Sequence, residues 1–367
     1  MKKAVIYPFA ENMISIIRYW NLMKRNPKIV SVVMNNDKGL KGKDVGVINN
    51  QPDLGITIYS DLSAALIDCD TIILTDEEIH TNLEIKEIII MKKSVICMRS
   101  LTAKQLQYLN RLAKDMDVNF EYYNVKQEYE ELYYIPQKLY KPKATIIIVG
   151  EMFNNLSGMD VTLSINRYMH LKGYKSIIIM EQEFTVLSDI ITFPEFLRSS
   201  KYKESDKIYY LNNFIMNIDT TENPDIIIIQ IPDAMMKYND MLCNGFGVIP
   251  FLISQAIMAD FFVFCTQYDI IKLHFFNMLS INFENRFGFG IDIINMSNAK
   301  LVTQDLEVYG KLSFLHQSHE NLDKLIRNNY QESDIPILNC INEADNEKMC
   351  KHIMEKLSQY SIVDSLI

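Results

Sequence analysis

The sequence has no apolar run near the roughly 20 residues that a membrane-spanning helix needs. Its longest, such as Ile226–Ile229 and Phe261–Cys265, are a fraction of that length. It has no CxxC pair among Cys69, Cys97, Cys243, Cys265, Cys340 and Cys350, no HExxH and no GxSxG. Those absences argue against a paired-thiolate zinc site, a zincin helix and the nucleophile elbow of an α/β-hydrolase. Cations are in deficit, 37 Lys and Arg against 46 Asp and Glu, for a net charge of −9. A general nucleic-acid binder needs the opposite balance to neutralise phosphates. With 12 Gly and 10 Pro in 367 residues, collagen-like and low-complexity architectures are excluded. Met1–Pro8 lacks the apolar core and small-residue cleavage site of a signal peptide. The sequence therefore predicts a cytoplasmic protein with reduced thiols, no membrane contact and no nucleic-acid partner.

What the chain does have is the balance of a soluble globular protein, 48% hydrophobic and 23% charged residues. Its length suggests about two domains. Residues 1–119 alternate strand and helix signals. Strands are predicted at Ala4–Tyr7, Ile29–Val33, Thr71–Thr75 and Ser94–Met98. Helices are predicted at Asn12–Lys24, Asp61–Ile67, Leu83–Met91 and Thr102–Asp115. Continuous apolar strands separated by helices indicate a parallel sheet covered on both faces, a Rossmann-like domain. Residues 120–143, rich in Tyr, Glu and Lys with Pro136 and Pro142, read as a linker. Residues 144–367 then carry a second α/β series. Its strands are predicted at Ala144–Val149, Ser176–Met180, Asp225–Ile231, Asp260–Cys265, Phe289–Met296 and Ile335–Asn339. Its helices are predicted at Met159–Leu171, Asp206–Met216, Pro250–Met258 and Asp345–Leu357. The expected fold is α/β with two doubly wound, mostly parallel sheets, the second resembling a degenerate P-loop domain.

Ligands in such sheets bind at the carboxyl ends of strands, where helix N-termini offer free N–H groups. The first such loop, Tyr7–Asn12, has no glycine and carries Glu11, which opposes dinucleotide binding. The equivalent loop of the second half runs Gly150-Glu151-Met152-Phe153-Asn154-Asn155-Leu156-Ser157-Gly158-Met159-Asp160. It has the place of a P-loop but not its chemistry: Met159 stands where the phosphate-facing Lys would be, and Asp160 where the metal-binding Ser or Thr would be. Gly150, Glu151, Asn154, Asn155, Gly158 and Asp160 are its candidate ligand-binding residues. Asp233, after the strand ending at Ile231, reads either as a ligand or Mg²⁺ contact or as a turn cap. Asn244, Gly245 and Gly247 flank Phe246 in a loop that reads either as a close ligand approach or as an ordinary turn. Asp76-Glu77-Glu78 reads mainly as a solvated acidic turn. His316, His319, Cys340, Cys350 and His352 form a loose group without metal-ligand spacing, so no metal is assigned. No cofactor and no catalytic residue is assigned either.

Several short motifs of the second half occur in a characteristic order. They are Gly150-Glu151 after an apolar strand, Phe193-Pro194-Glu195-Phe196, Leu211-Asn212-Asn213-Phe214-Ile215, Pro224–Pro232, Asn244-Gly245-Phe246-Gly247 and Ser254-Gln255-Ala256. Together, over about residues 145–360, they resemble the clostridial-type peptide maturation system family. Gly158-Met159-Asp160 departs from a more basic stretch in that family. The resemblance implies an accessory protein encoded beside a radical-SAM enzyme and a short precursor peptide in bacteriocin-like gene clusters. Its partners would then be the precursor peptide, the radical-SAM maturation enzyme, or both, and a homo-oligomer is compatible with that role. A second reading stays open: a nucleotide-dependent transferase or ligase in which the variant loop holds phosphate and Asp160 or Asp233 holds Mg²⁺. Under either reading the functional surface is expected at the carboxyl edge of the second sheet, facing the cleft between the halves. There the loops Gly150–Gly158, Pro232–Tyr238 and Asn244–Gly247 should emerge together.

Overall fold

The computed structural model describes residues 2–34, 39–75, 85–123, 138–181, 189–240 and 246–364. These divide into two compact units, residues up to 123 and residues from 138 onward. Among the described residues no helix is long and apolar enough to cross a membrane. Each unit is a parallel sheet with helical crossovers, so the chain has two doubly wound α/β sheets of six and seven strands.

The first unit contains β1 (Lys3–Tyr7), β2 (Lys28–Val33), β3 (Thr57–Tyr59), β4 (Thr71–Leu74), β5 (Ser94–Cys97) and β6 (Phe120–Tyr122). They lie in the order β3-β2-β1-β4-β5-β6, every pair parallel. Helices α1 (Ile14–Leu22), α2 (Leu62–Leu66), α3 (Ile85–Ile90) and α4 (Ala103–Asp115) connect them. Val5, Ile6, Ile72 and Ile73 are fully buried in the central strands, as two-sided coverage requires. Asp61 caps α2 by accepting from Ala64 N at 2.9 Å. Thr102 and Gln105 close a capping box on α4. The order reverses between β1 and β4, the switch point at which such sheets bind ligands. Here the loop after β1 is closed by its own chain. Phe9 N donates to Val33 O at 2.8 Å, and Thr75 Oγ1 donates to Pro8 O at 2.7 Å.

The stretch read as a linker is structured at both described ends. Phe120–Tyr122 is the edge strand β6, and residues 138–143 belong to the second unit. Residues 124–137 lie outside the described residues, as do Asp76-Glu77-Glu78.

The second unit contains β7 (Thr145–Glu151), β8 (Ser176–Met180), β9 (Ile190–Thr192), β10 (Ile226–Gln230), β11 (Phe261–Thr266) and β12 (Ile293–Met296). A small antiparallel ribbon, β13 (Ala299–Leu301) with β14 (Phe314–His316), and the short β15 (Ile337–Leu338) follow. The main sheet runs β15-β12-β11-β7-β10-β8-β9, all parallel. Its helices are α5 (Gly158–Leu171), α6 (Glu204–Glu222), α7 (Val248–Ala256), α8 (Leu273–Phe287), α9 (Thr303–Tyr309), α10 (His319–Asn329) and α11 (Glu343–Asp364). Alternate residues of each strand face opposite sides. Ile146, Ile148, Ile227, Ile229, Phe262 and Phe264 join residues of α6, α7 and α8 in one core. The intervening residues, Ile147, Val149, Ile228 and Val263, are fully buried on the other face, which α5 and α11 cover.

The segment leading into β7 is anchored by one carboxylate. Asp219 of α6 accepts from Lys143 N at 2.9 Å, Ala144 N at 3.0 Å and the Tyr140 hydroxyl at 2.6 Å. Burial alone would raise its pKa, but these three donors outweigh burial and leave it lowered. Asp219→Ala strips acceptors from two backbone N–H groups. Urea unfolding should show a loss of about 2–3 kcal/mol, and a loss under about 0.5 kcal/mol, the ordinary surface value, would refute the anchor.

Candidate functional site

The site is built by the central strand of the second sheet and the loop that leaves it. β7 ends at Glu151, the loop follows, and α5 begins at Gly158. Asn155 (φ 68°) and Ser157 (φ 72°) are left-handed, so successive amides turn inward. Such a concave set of N–H groups at a helix N-terminus is an anion seat. The seat is filled by the chain itself. The Glu151 carboxylate accepts from Gly158 N at 2.6 Å and Leu156 N at 2.8 Å through Oε1, and from Asn155 N at 3.2 Å through Oε2. Glu151 is buried, at 7% exposure. A Cβ at Gly158 would lie 2.8 Å from its Cγ and Cδ, so glycine is demanded here by the side chain it touches. Gly150 is demanded by Met235 Sδ and the Phe262 ring.

The electrostatics of this carboxyl are a contest. Burial pushes it up, the three amides pull it down, and the Asp160 charge in the first turn of α5 pushes it up again. The outcome is a carboxyl pushed up to about 7. Burial, with the charge of Glu151 and then of Cys340, also raises the Cys265 thiol well above its ordinary range. It stays a thiol, which removes it as a nucleophile.

The three loops expected on one edge are tied together there. Met235 N donates to Glu151 O at 2.9 Å, Met236 N to Met152 O at 3.2 Å, and Gly247 N to Ala234 O at 3.1 Å. Tyr238 stacks on Phe153 with ring centroids 5.3 Å apart, and the Asn154 backbone N–H bonds its hydroxyl. The side chains do not converge on a shared point. Glu151 turns back into its own loop. Asp233 receives Arg198 Nη2 at 2.8 Å, and the same guanidinium pairs with Glu181 after β8. Asn155 is exposed, Asn154 half-buried and Asp160 buried. Arg286 fills the space beside Gly247, which is left-handed at φ 72°. Asn244 and Gly245 lie outside the described residues.

Sequence reasoning missed the polar row beside Glu151. In register across the sheet stand Glu151, Cys265 and Asn295. Asn295 Oδ1 accepts from Cys340 N at 2.8 Å, and the same side chain hydrogen-bonds Cys265, its neighbour in the row. Ser297 Oγ lies 2.8 Å from Ser157 Oγ of the loop. The available signal was Asn295-Met296-Ser297-Asn298 directly after an apolar strand. The loose His and Cys group does not converge. His319 Nδ1 lies 3.3 Å from Asn339 Nδ2, while His352 packs on Phe261. Among the described residues no three His, Cys, Asp or Glu side chains could hold a metal ion.

Two measurements check this geometry. The Glu151 carboxyl is raised from 4.5 to about 7 on folding. Below the unfolded value both states are protonated and stability is full. As pH rises toward the folded value, the unfolded state ionises first and stability falls, by about 3 kcal/mol in all. Urea unfolding at pH values on either side of this window should show that loss, and Glu151→Gln should lack it. An unchanged pH slope in the variant would mean that Glu151 titrates normally. Separately, Gly158→Ala should destabilise by about 1–3 kcal/mol through overpacking. That loss should shrink in a Glu151→Ala background, and additive losses would show that the two side chains do not meet.

No protein-family model matches the sequence, and no curated protein matches it. Solved structures do. A DUF1611 family protein from Anabaena variabilis ATCC 29413 aligns over 97% of this chain and 100% of its own, with 11% identity and a TM-score of 0.54. At that identity the likeness shows the fold alone. Homoserine dehydrogenase from S. aureus (15% identity, 35% of this chain and 33% of its own) has a TM-score of 0.27. UDP-N-acetylglucosamine 3-dehydrogenase from Acidithiobacillus ferrooxidans (14% identity, 48% and 57%) also has a TM-score of 0.27. Scores that low carry no argument.

Proposed function

We propose that this chain is a binding protein rather than a phosphoryl-transfer enzyme. It acts as a cytoplasmic accessory in the maturation of a ribosomally synthesised peptide, holding the precursor peptide, a radical-SAM maturation enzyme, or both. The peptide-maturation part is supported by the resemblance carried by the ordered motifs from Gly150-Glu151 to Ser254-Gln255-Ala256. The binding part is supported by one observation. The amides that would cradle a phosphate are taken by Glu151, and the next residue after Gly158 is Met159 rather than a cation. A phosphoryl-transfer site depends on a cation and a metal-binding hydroxyl at these positions. The nucleotide-dependent transferase or ligase reading loses those contributions here.

Co-purification of the tagged chain with the radical-SAM enzyme and precursor encoded beside it tests the reading. Retention of either at tens of micromolar is expected, and retention of neither refutes it. A thermal-shift screen with ATP, GTP, NAD and CoA should give no shift. Ligand at a hundred times its dissociation constant would add about 2.7 kcal/mol, so a clear shift would restore the nucleotide reading. Asp233→Ala removes a partly exposed ion pair, so unfolding should change by no more than about 1 kcal/mol. Peptide maturation should nonetheless fall in that variant, and unimpaired maturation would take the Asp233 loop out of the binding surface.

A further inference from the structure

Two neighbouring helices of the second unit carry an exposed apolar face. α7 and α8 pack side by side over one side of the sheet. On α7 the core-facing Ile249, Leu252, Ile253 and Ala256 leave Phe251 on the opposite side, at about 100° of turn per residue. On α8, Phe276, Phe283 and Phe287 do the same for Met278. Phe251 and Met278 are 42% and 44% exposed, with Val248 at 48%, Phe275 at 37% and Ile281 at 51% beside them. α7 has no charged residue, and α8 has none from its start to Phe283. In a chain whose net charge of −9 holds copies apart, a face without acids is where two copies can meet. Its five apolar side chains expose on the order of 500 Å², the scale at which a patch marks an interaction site. The polar margin of Gln255, His274, Asn282 and Asn285, all exposed, brings the face to about 800 Å², one partner's share of a standard interface.

The face is symmetric about Met278. Phe275 and Ile281 stand three residues to either side of it, and His274 and Asn282 stand four. Reversing the helix therefore sets apolar against apolar and polar against polar. The first charges beyond them are Lys272 at one end and Glu284 at the other, both exposed. An antiparallel pair of these helices brings ends of opposite charge level with each other, whereas a parallel pair brings like charges together. Arg286, two residues beyond Glu284, is held over the Phe246 and Phe287 rings. We propose that the α7–α8 face is a homodimer interface, in which α8 packs antiparallel on α8 of a second copy across a two-fold axis at Met278. Such an axis makes the contact isologous: Phe275 of each copy lies level with Ile281 of the other, and Met278 meets its own counterpart. The occupant is a protein face rather than a lipid surface. A helix that lies on lipid is rich in Lys and Arg beside its apolar stripe, and this stripe is bordered by Gln, His and Asn.

The test is analytical ultracentrifugation of the full chain at micromolar concentration, with Met278→Lys and Met278→Glu as variants. The unaltered chain should sediment at twice its 42.8 kDa mass. Each variant places two like charges at the axis, so its dimer constant should weaken by about tenfold or more. An equimolar mixture of the two variants should sediment as a dimer again, because the two introduced charges are opposite. Far-ultraviolet circular dichroism should show both variants folded, since Met278 lies outside the core. An unaltered chain that is monomeric overturns the proposal, in favour of a lipid surface if it also floats with phosphatidylcholine–phosphatidylglycerol vesicles. A dimer that persists in both variants, or a mixture that stays monomeric, overturns it too. Should either variant fail to fold, Met278→Cys decides. Mild oxidation should join two copies through that position and not in Val308→Cys, a site 70% exposed on α9. Equal linking in both, or linking in neither, overturns the interface.

Discussion

One buried carboxylate sets the terms for the centre of the second unit. Three backbone amides converge on Glu151, and each nearby oddity follows from that. Asn155 and Ser157 are left-handed because their peptide units must present N–H groups inward. Gly158 has no side chain because Glu151 already occupies the space. The Cys265 thiol, one strand away in the same row, is raised partly by the charge that Glu151 carries. A loop of this shape would otherwise leave donors unsatisfied at a buried helix start, a defect that folded proteins avoid. The carboxylate removes that defect from within the chain.

The first unit reaches a similar end by other means. Its six strands have the order that places a ligand crevice between β1 and β4. There the loop after β1 carries no glycine and is drawn closed by backbone and threonine bonds to the two flanking strands. Phe9, at 5% exposure, packs inward where a nucleotide-binding loop would leave room. Each unit thus keeps the doubly wound scaffold and fills the loop at its central strand with its own groups. One uses a carboxylate, the other a proline and phenylalanine turn. A fold defines where a site can be, and the side chains define whether anything is received there.

The sequence makes the scaffold readable because buried parallel strands are written as unbroken apolar runs. Ile226–Ile229 and Phe261–Cys265 could hardly be anything else. The strands that escape detection, β3, β6, β9, β13 and β14, have three residues each and mix polar with apolar side chains. Helix α8 escapes for a different reason. Phe276, Leu279 and Phe283 form its buried stripe, but Phe275, Met278 and Ile281 are exposed beside it and blur the period. Within the site, the position of the loop and its missing lysine are legible. The destination of the Glu151 side chain is not, since a glutamate after a strand has the same spelling whether it faces solvent or folds back. Nor does spacing reveal that Arg198 would take Asp233. Both outcomes depend on contacts made only once the sheet is assembled.

No cation stands among the groups that act on the Glu151 carboxyl. A cation beside a buried carboxyl holds it ionised. With Met159 after Gly158, and Asp160 buried in the first turn of α5, only the amides favour the charged form. Burial and Asp160 act against them, and the carboxyl is left near neutrality rather than locked as an anion. The seat is therefore held by shape and hydrogen-bond direction more than by charge. A phosphate would bring greater charge to the same donors and meet the same Asp160 without a compensating cation. Met159 and Asp160, which stand where a P-loop has its lysine and its hydroxyl, open the helix whose first amide the glutamate takes.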